Sequence, residues 1–306
     1  MSIVSTNVPY NSFVFYYNLQ GLLNAFPFLR SNIIGYSVLG SPIYAIEFGI
    51  GKKHVFYSAS YHANEWITTP VLMKFIEDIS NAYVSNLDLL GYSAKTIFNE
   101  TTIHFCPMVN PDGVDLVTGY FSSTSSYYRL AQKIASGYAT IPFPDGWKAN
   151  IRGVDLNLQF PAEWYKAREI KFAQGFISPA PRDFVGFGPL TEPEALAVYN
   201  YTLSYPFSLV LAYHTQGKEI YWKFQDYLPK NSYEIGRRFA EVSGYVLSET
   251  PYNSSFAGFK DWFIQDYNLP GYTIEAGFGE NPLPISQFDE IYKDNLGILV
   301  LGAVLA

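Results

Sequence analysis

Four histidines stand at positions 54, 62, 104 and 214 of this 306-residue chain, and their surroundings differ. His62 lies in Tyr61-His62-Ala63-Asn64-Glu65-Trp66, directly after the β-like run Phe56-Tyr57-Ser58-Ala59-Ser60 and before a helical pattern. A histidine and a glutamate three residues apart in one turn can aim an imidazole nitrogen and a carboxylate oxygen at one small centre, a donor pair that suits zinc. His-x-x-Glu also arises by chance, so the pair is weak by itself. His214 ends a second apolar run, Phe207–Tyr213, and Thr215-Gln216-Gly217 turns away after it. Two histidines and one glutamate would leave a fourth position open for water, the form of a catalytic site rather than a closed structural one. A third run, Gly271-Tyr272-Thr273-Ile274, ends in Glu275. A carboxylate at such a terminus is either a buried, paired group or a general base; a zinc candidate at the same edge favours the base. His54 and His104 sit inside strand-like runs and read as partly buried, hydrogen-bonded imidazoles with no ligand role.

These residues need elements to hold them. Short β-rich runs alternate with helical stretches, which argues for an α/β layered architecture. The expected strands are 33–38, 43–48, 54–59, 102–109, 207–213, 220–224 and 271–275. Several are almost continuously apolar, as strands covered on both faces are. Helices are expected at 68–85, 193–204, 232–243, 259–267 and 286–305. The second should open on a capping box in which Thr191 and Glu194 satisfy each other's backbone N–H groups. In open α/β sheets sites gather beyond the carboxyl ends of strands, so runs ending in His214, Glu275 and the His62 turn should meet at one sheet edge. From 118 to 189 the periodicity lapses, and an aperiodic stretch of that length usually has a functional role. No repeat or flexible linker interrupts the chain, so residues 1–306 read as a single domain.

Composition narrows the function classes. Charged residues are 15% of the chain, below the roughly 25% of an average globular protein, while aromatics are 18%. A net charge of −7 with no Lys/Arg cluster leaves no footprint for a phosphate backbone, so nucleic acid is not an expected partner. The one cysteine, Cys106, excludes an intrachain disulfide and reads as core. The first twenty residues carry no Lys or Arg and no signal-peptide pattern. The longest apolar run, 296–306, is too short to span a bilayer and should end a buried helix. The expected location is cytoplasmic or spore- or wall-associated, without membrane insertion.

Six ordered segments resemble the zinc carboxypeptidase family: His62-Ala63-Asn64-Glu65, Asn110-Pro111-Asp112-Gly113, Gly153-Val154-Asp155-Leu156-Asn157, His214, Asp261-Trp262 and Glu275. The resemblance implies a carboxypeptidase-like α/β fold, with a central mixed, mostly parallel sheet and helices on both faces. It also implies one zinc ion on His62, Glu65 and His214, and a Glu275 that deprotonates the attacking water and later protonates the leaving amine. Asp155 matches the carboxylate that orients the first zinc histidine. Digestive members carry an Arg after a Trp to polarise the scissile carbonyl. Here Trp147 is followed by Lys148, and Arg152 could share or take the role.

Departures from the digestive pattern are informative. Asn157 is kept, but the Arg that follows it in digestive members, gripping the substrate's terminal carboxylate, is Leu158 here. Tyr252 stands one residue off the position of the tyrosine that closes over substrate. Lys260 occupies a position lining the leaving-side specificity pocket and would favour an extra carboxylate. The stretches 147–161, His214-Thr215-Gln216-Gly217 and Ala257-Gly258-Phe259-Lys260-Asp261-Trp262 look like the bacterial γ-D-glutamyl-L-diamino acid peptidases, over about residues 10–306. That branch implies a metallopeptidase cutting the γ-D-glutamyl–meso-diaminopimelate bond of peptidoglycan peptides, with Asn157, Gln216, Tyr252 and Lys260 binding substrate. Some relatives carry LysM modules, for which this chain leaves no room. The competing readings are a conventional metallocarboxypeptidase or amide deacylase, and a non-catalytic peptidoglycan-binding module that kept the fold.

Overall fold

The computed structural model describes residues 2–306. Its strands are β1 (Arg30–Tyr36), β2 (Pro42–Phe48), β3 (Lys53–Ala59), β4 (Asp88–Leu89), β5 (Tyr92–Ser93), β6 (Thr101–Cys106), β7 (Phe207–His214), β8 (Glu219–Tyr221), β9 (Val246–Ser248) and β10 (Gly271–Glu275). Its helices are α1 (Ser12–Ala25), α2 (Thr68–Ser85), α3 (Ala94–Glu100), α4 (Pro111–Val117), α5 (Ser126–Ala135), α6 (Trp164–Ala173), α7 (Pro193–Leu203), α8 (Ser232–Ser243), α9 (Phe259–Tyr267) and α10 (Phe288–Leu305).

Eight strands form one sheet in the order β1-β2-β6-β3-β7-β10-β8-β9, and β4 and β5 make a separate hairpin. The central pairings β6–β3, β3–β7 and β7–β10 are parallel, as is β8–β9 at one edge, whereas β1–β2, β2–β6 and β10–β8 are antiparallel. Successive strand residues point to opposite faces, and the burial follows that period. On β3, Val55 and Tyr57 join one apolar cluster and Phe56 the other; on β7, Leu209 and Leu211 join the first and Val210 and Ala212 the second. The first cluster is completed by residues of α1, α2, α8 and α10, the second by residues of α6, α7 and α9. Both faces are therefore covered by helices, which is why the central strands read as continuous apolar runs.

Several expectations need correction. The strand expected to run to Val109 ends at Cys106, and the chain then leaves the sheet for α4, which Asn110 caps by accepting the Gly113 N–H. The stretch 118–189 contains helices α5 and α6. Helix α7 starts at Pro193 as expected, but not through a capping box. Thr191 donates instead to Gln159 Oε1 and the Gly188 carbonyl, while Glu194 accepts from the Val38 N–H and Asn150 Nδ2. Tertiary partners have replaced the local reciprocal pair, leaving Glu192 as an N-cap whose side chain accepts from Asn150 Nδ2 and makes no capping bond to the helix.

Cys106 is buried and its thiol pKa is pushed up to about 12 by that burial. His54 Nδ1 and His104 Nε2 share a hydrogen bond of 2.8 Å, with His104 buried and His54 partly buried. No helix among the described residues is long and apolar enough to cross a membrane.

Candidate metal centre and active site

β3, β7 and β10 are parallel neighbours, so their carboxyl ends lie side by side. The ladder pairs Glu275 with His214. After β3, Ser60 takes a positive φ of 54° and turns the chain, so that His62 precedes a single 3-10 turn, Ala63–Glu65, that leads into α2. One turn of helix is what brings residues three apart onto the same side. His62, Glu65 and His214 present ligand atoms that all lie within 4.8 Å of one another.

The donor set fits a zinc ion. His62 Nδ1 and His214 Nδ1 are 3.2 Å apart, and the two Glu65 oxygens lie 3.0 and 2.9 Å from them. Tetrahedral ligands at the usual Zn–N distance stand about 3.3 Å from one another, so little movement would seat the ion. Burial works against a charge on His62, but Glu65 and Asp155 on either side outweigh it and raise its pKa to about 9. A divalent cation among the same donors would take the place of that proton. Burial also opposes a charge on Glu65, yet His62 and Lys148 hold its carboxyl well below the usual range. His214 is shifted the other way, its pKa lowered by burial, which favours the neutral imidazole that a metal needs.

Around this cluster the chain is stitched by its own loops. Asp155 Oδ1 lies 3.0 Å from His62 Nε2, while Oδ2 accepts the Asp183 N–H at 3.1 Å. The Ala63 N–H donates to the Lys148 carbonyl, and Asn64 Nδ2 to the Asp145 carbonyl. Lys148 Nζ reaches Glu65 Oε1 at 2.8 Å. Asn157 Oδ1 accepts the Phe259 N–H at the start of α9, tying the Asp155 turn to the helix that bears Lys260. Glu275 is raised to about 8, first by burial and then by the Glu65 charge, with Lys148 and His62 pulling it down.

Two cavities meet here. The inner one, about 200 Å³, is lined by His62, Glu65, His214, Asn157, Leu158 and Lys260 among others; the outer one, about 780 Å³, includes Gln216, Thr215 and Asn281. Lys148, Arg182, Tyr221 and Glu275 line both. Of the remaining expected site residues, two lie elsewhere. Arg152 lines neither cavity: it is half-exposed and faces Glu192, the N-cap of α7, at 3.6 Å. Tyr252 is exposed, packs its ring edge-on against Phe256 and lines an adjoining recess. Sequence reasoning missed Arg182, Lys171 and Asp183, all of which line the inner cavity. They fall in the aperiodic 118–189 stretch, where their one signal was that such a stretch is rarely idle.

Residues 16–297 match the model of the zinc carboxypeptidase family. This chain belongs to that family. As a zinc carboxypeptidase relative it is a metallopeptidase, and its mixed sheet with helices on both faces is the family's fold. It is 46% identical over 288 residues to the gamma-D-glutamyl-L-diamino acid endopeptidase 1 of Lysinibacillus sphaericus, which covers 94% of this chain and 70% of that protein. Its fold superposes on carboxypeptidase A from Helicoverpa armigera with a TM-score of 0.72, at 19% identity, over 99% of this chain and 75% of the other. The murein-tripeptide amidase MpaA from Escherichia coli O157 shares the fold with a TM-score of 0.54 and 20% identity, over 88% of this chain and 91% of its own.

Proposed function

We propose that this metallopeptidase hydrolyses the amide between γ-linked D-glutamate and meso-diaminopimelate in peptidoglycan-derived peptides, with residues 1–306 acting as one catalytic domain. The observation that carries the reading is the inner cavity's floor. Beyond the metal cluster it offers Leu158, which cannot hold a terminal carboxylate, and Lys260, a buried ammonium held by Asp261 at 2.6 Å and by the Lys223 carbonyl. A leaving group with a second carboxylate suits that ammonium better than an ordinary C-terminal residue does. The 46% identity to an enzyme named for this linkage supports the same reading.

In this reading His62, Glu65 and His214 hold one zinc ion. When bound, zinc supplies a Lewis acid and lowers the pKa of water toward neutrality. Asp155 keeps the His62 ring aimed by accepting from its Nε2. Glu275, at the junction of the cavities, takes a proton from the attacking water and returns it to the leaving amine; a carboxyl that burial has made more basic is suited to both transfers. Lys148 meets the negative charge that develops on the scissile carbonyl oxygen. Asn157 and Lys260 receive the diaminopimelate side in the inner cavity, Gln216 the glutamyl side in the outer one, and Tyr252 is the candidate to fold over both.

The test is a digest of L-Ala-γ-D-Glu-meso-diaminopimelate by zinc-loaded protein, read by mass, beside a blocked α-linked dipeptide and a chelator control. Release of diaminopimelate that the chelator stops and zinc restores is the expected result. Cleavage of the dipeptide alone would overturn the substrate while keeping the metal centre.

A further inference from the structure

The cations around the two cavities differ in how far their donors are committed. Lys148 is held by Glu65 at 2.8 Å, Lys171 by Asp183 Oδ1 at 2.6 Å and Lys260 by Asp261 at 2.6 Å. Arg182 is different. Its Nε donates to Asp183 Oδ2 at 2.6 Å, and among the described residues that is the one hydrogen bond its guanidinium makes. The outer fork of two nitrogens is left unengaged on a side chain that is 43% exposed.

The backbone beneath it is fixed from both sides. The Pro181 carbonyl accepts from the Lys148 and Ala149 N–H groups at 2.7 and 2.9 Å, and the Asp183 N–H donates to Asp155. Asp183 itself sits at a φ of 64°, a left-handed conformation uncommon for a residue other than glycine and sustained here by the bonds around it. Asp183 thus braces Arg182 at Nε through one carboxylate oxygen and Lys171 through the other. A planar guanidinium with a free fork and a fixed base is the arrangement that binds a carboxylate through two parallel hydrogen bonds.

Arg182 lines both cavities, so the carboxylate it meets is the one left without another cation. The inner cavity holds Asn157 and Lys260, the leaving-group side in the function proposed above, so the acyl residue occupies the outer cavity. Two cations line the outer cavity, Lys148 and Arg182; Lys148 bonds Glu65 and, in the function proposed above, faces the scissile carbonyl oxygen, which leaves Arg182 for a second anion of the acyl residue. In a γ-glutamyl amide the α-carboxylate remains free, three carbons from the scissile carbonyl. An acyl residue without a second carboxyl group, or with that group amidated, offers no such anion. We propose that Arg182 binds the free α-carboxylate of the γ-linked glutamyl residue and thereby selects acyl residues that bear this carboxylate over those in which it is absent or amidated. This assignment rests on the proposed substrate and adds to it the residue that reads the acyl side's free carboxylate.

The experiment pairs protein and substrate changes. Wild-type enzyme, Arg182→Lys and Arg182→Ala, each checked for zinc content and circular dichroism, are given L-Ala-γ-D-Glu-meso-diaminopimelate, the same peptide with the glutamyl α-carboxylate amidated, and a third with the diaminopimelate α-carboxylate amidated. Wild type should prefer the free glutamyl acid over its amide by about 10- to 100-fold in kcat/KM. That preference should shrink in Arg182→Lys and approach unity in Arg182→Ala. A preference that persists unchanged in Arg182→Ala overturns the proposal, as does a wild type that cuts both glutamyl forms equally. Loss of discrimination only at the diaminopimelate carboxylate would move Arg182 to the leaving-group side and equally refute it. Each of these failures leaves γ-D-glutamyl cleavage in place. A wild type that cuts none of the three peptides is the distinct failure of the substrate reading, and this inference falls with it.

Discussion

Lys148 Nζ lies 2.8 Å from Glu65 Oε1, the same oxygen that stands 3.0 Å from His62 Nδ1. The cation is therefore attached to the carboxylate of the His62–Glu65–His214 cluster while also lining the junction of the two cavities beside Glu275. Burial opposes its charge, but Glu65 outweighs burial and raises the Lys148 pKa, so the ammonium stays protonated through any ordinary assay range.

A fixed positive charge at that junction is positioned to stabilise an oxyanion, and removal of one such donor typically reduces kcat by about 100- to 1,000-fold. Lys148→Ala should show a loss of that order in kcat, with a smaller change in KM and full zinc content by elemental analysis. Lys148→Arg should recover part of it, because the charge returns with a different donor geometry. A kcat for Lys148→Ala within a few-fold of wild type would remove Lys148 from the reaction.

Asp155 makes a second, separable prediction. Its Oδ1 faces His62 Nε2 and accepts the Asn157 N–H, and its Oδ2 accepts the Asp183 N–H, so both oxygens are engaged. Burial opposes its charge, yet His62 and these bonds keep the carboxyl below the usual range, and it stays ionised wherever the enzyme is assayed. Asp155→Asn replaces one acceptor oxygen with a donor, and either His62 or the Asp183 backbone loses its partner. Zinc affinity, measured by competition with a chromophoric chelator, should fall about 10- to 100-fold. Unchanged affinity would show that the His62 ring is aimed by something else.

Much of this centre was readable because its residues sit where strands end. His214 and Glu275 close apolar runs, and the His62–Glu65 turn follows another; parallel neighbours then place those ends together without any further information. What could not be read was set by contacts distant in sequence. Thr191 and Glu194 have the spacing of a capping box, but Gln159, Val38 and Asn150 outcompete the local pairing. Helix α1 buries Phe15, Leu19 and Leu22 at helical spacing, yet the exposed Phe13 before them and Tyr16 and Tyr17 among them blur that period. Arg182 owes its place to the Pro181 and Asp183 backbone bonds, which no local pattern announces. Arg152 and Lys148 looked alike as loop cations; only the turn between them separates a cavity residue from a surface one.

Glu194 carries a prediction about stability that is independent of catalysis. Its side chain is fully buried, with Oε1 accepting the Val38 N–H at 3.0 Å and Oε2 accepting from Asn150 Nδ2 at 3.2 Å. Burial raises its pKa from the ordinary 4.5 to about 7, against the pull of those bonds. A raised carboxyl pKa means that the folded state binds the proton more tightly than the unfolded chain does. The stability linked to this group is then complete below pH 4.5 and is lost as the pH rises through about 7. A shift of that size corresponds to something on the order of 3 kcal/mol. Glu194→Gln cannot ionise, so the variant should lack this slope whatever constant offset the new amide introduces. Urea unfolding of both proteins at a series of pH values checks it: wild type should lose ground against Glu194→Gln between pH 4.5 and about 7, with a constant difference on either side. Parallel stability curves through that window would show that the Glu194 proton is not linked to folding.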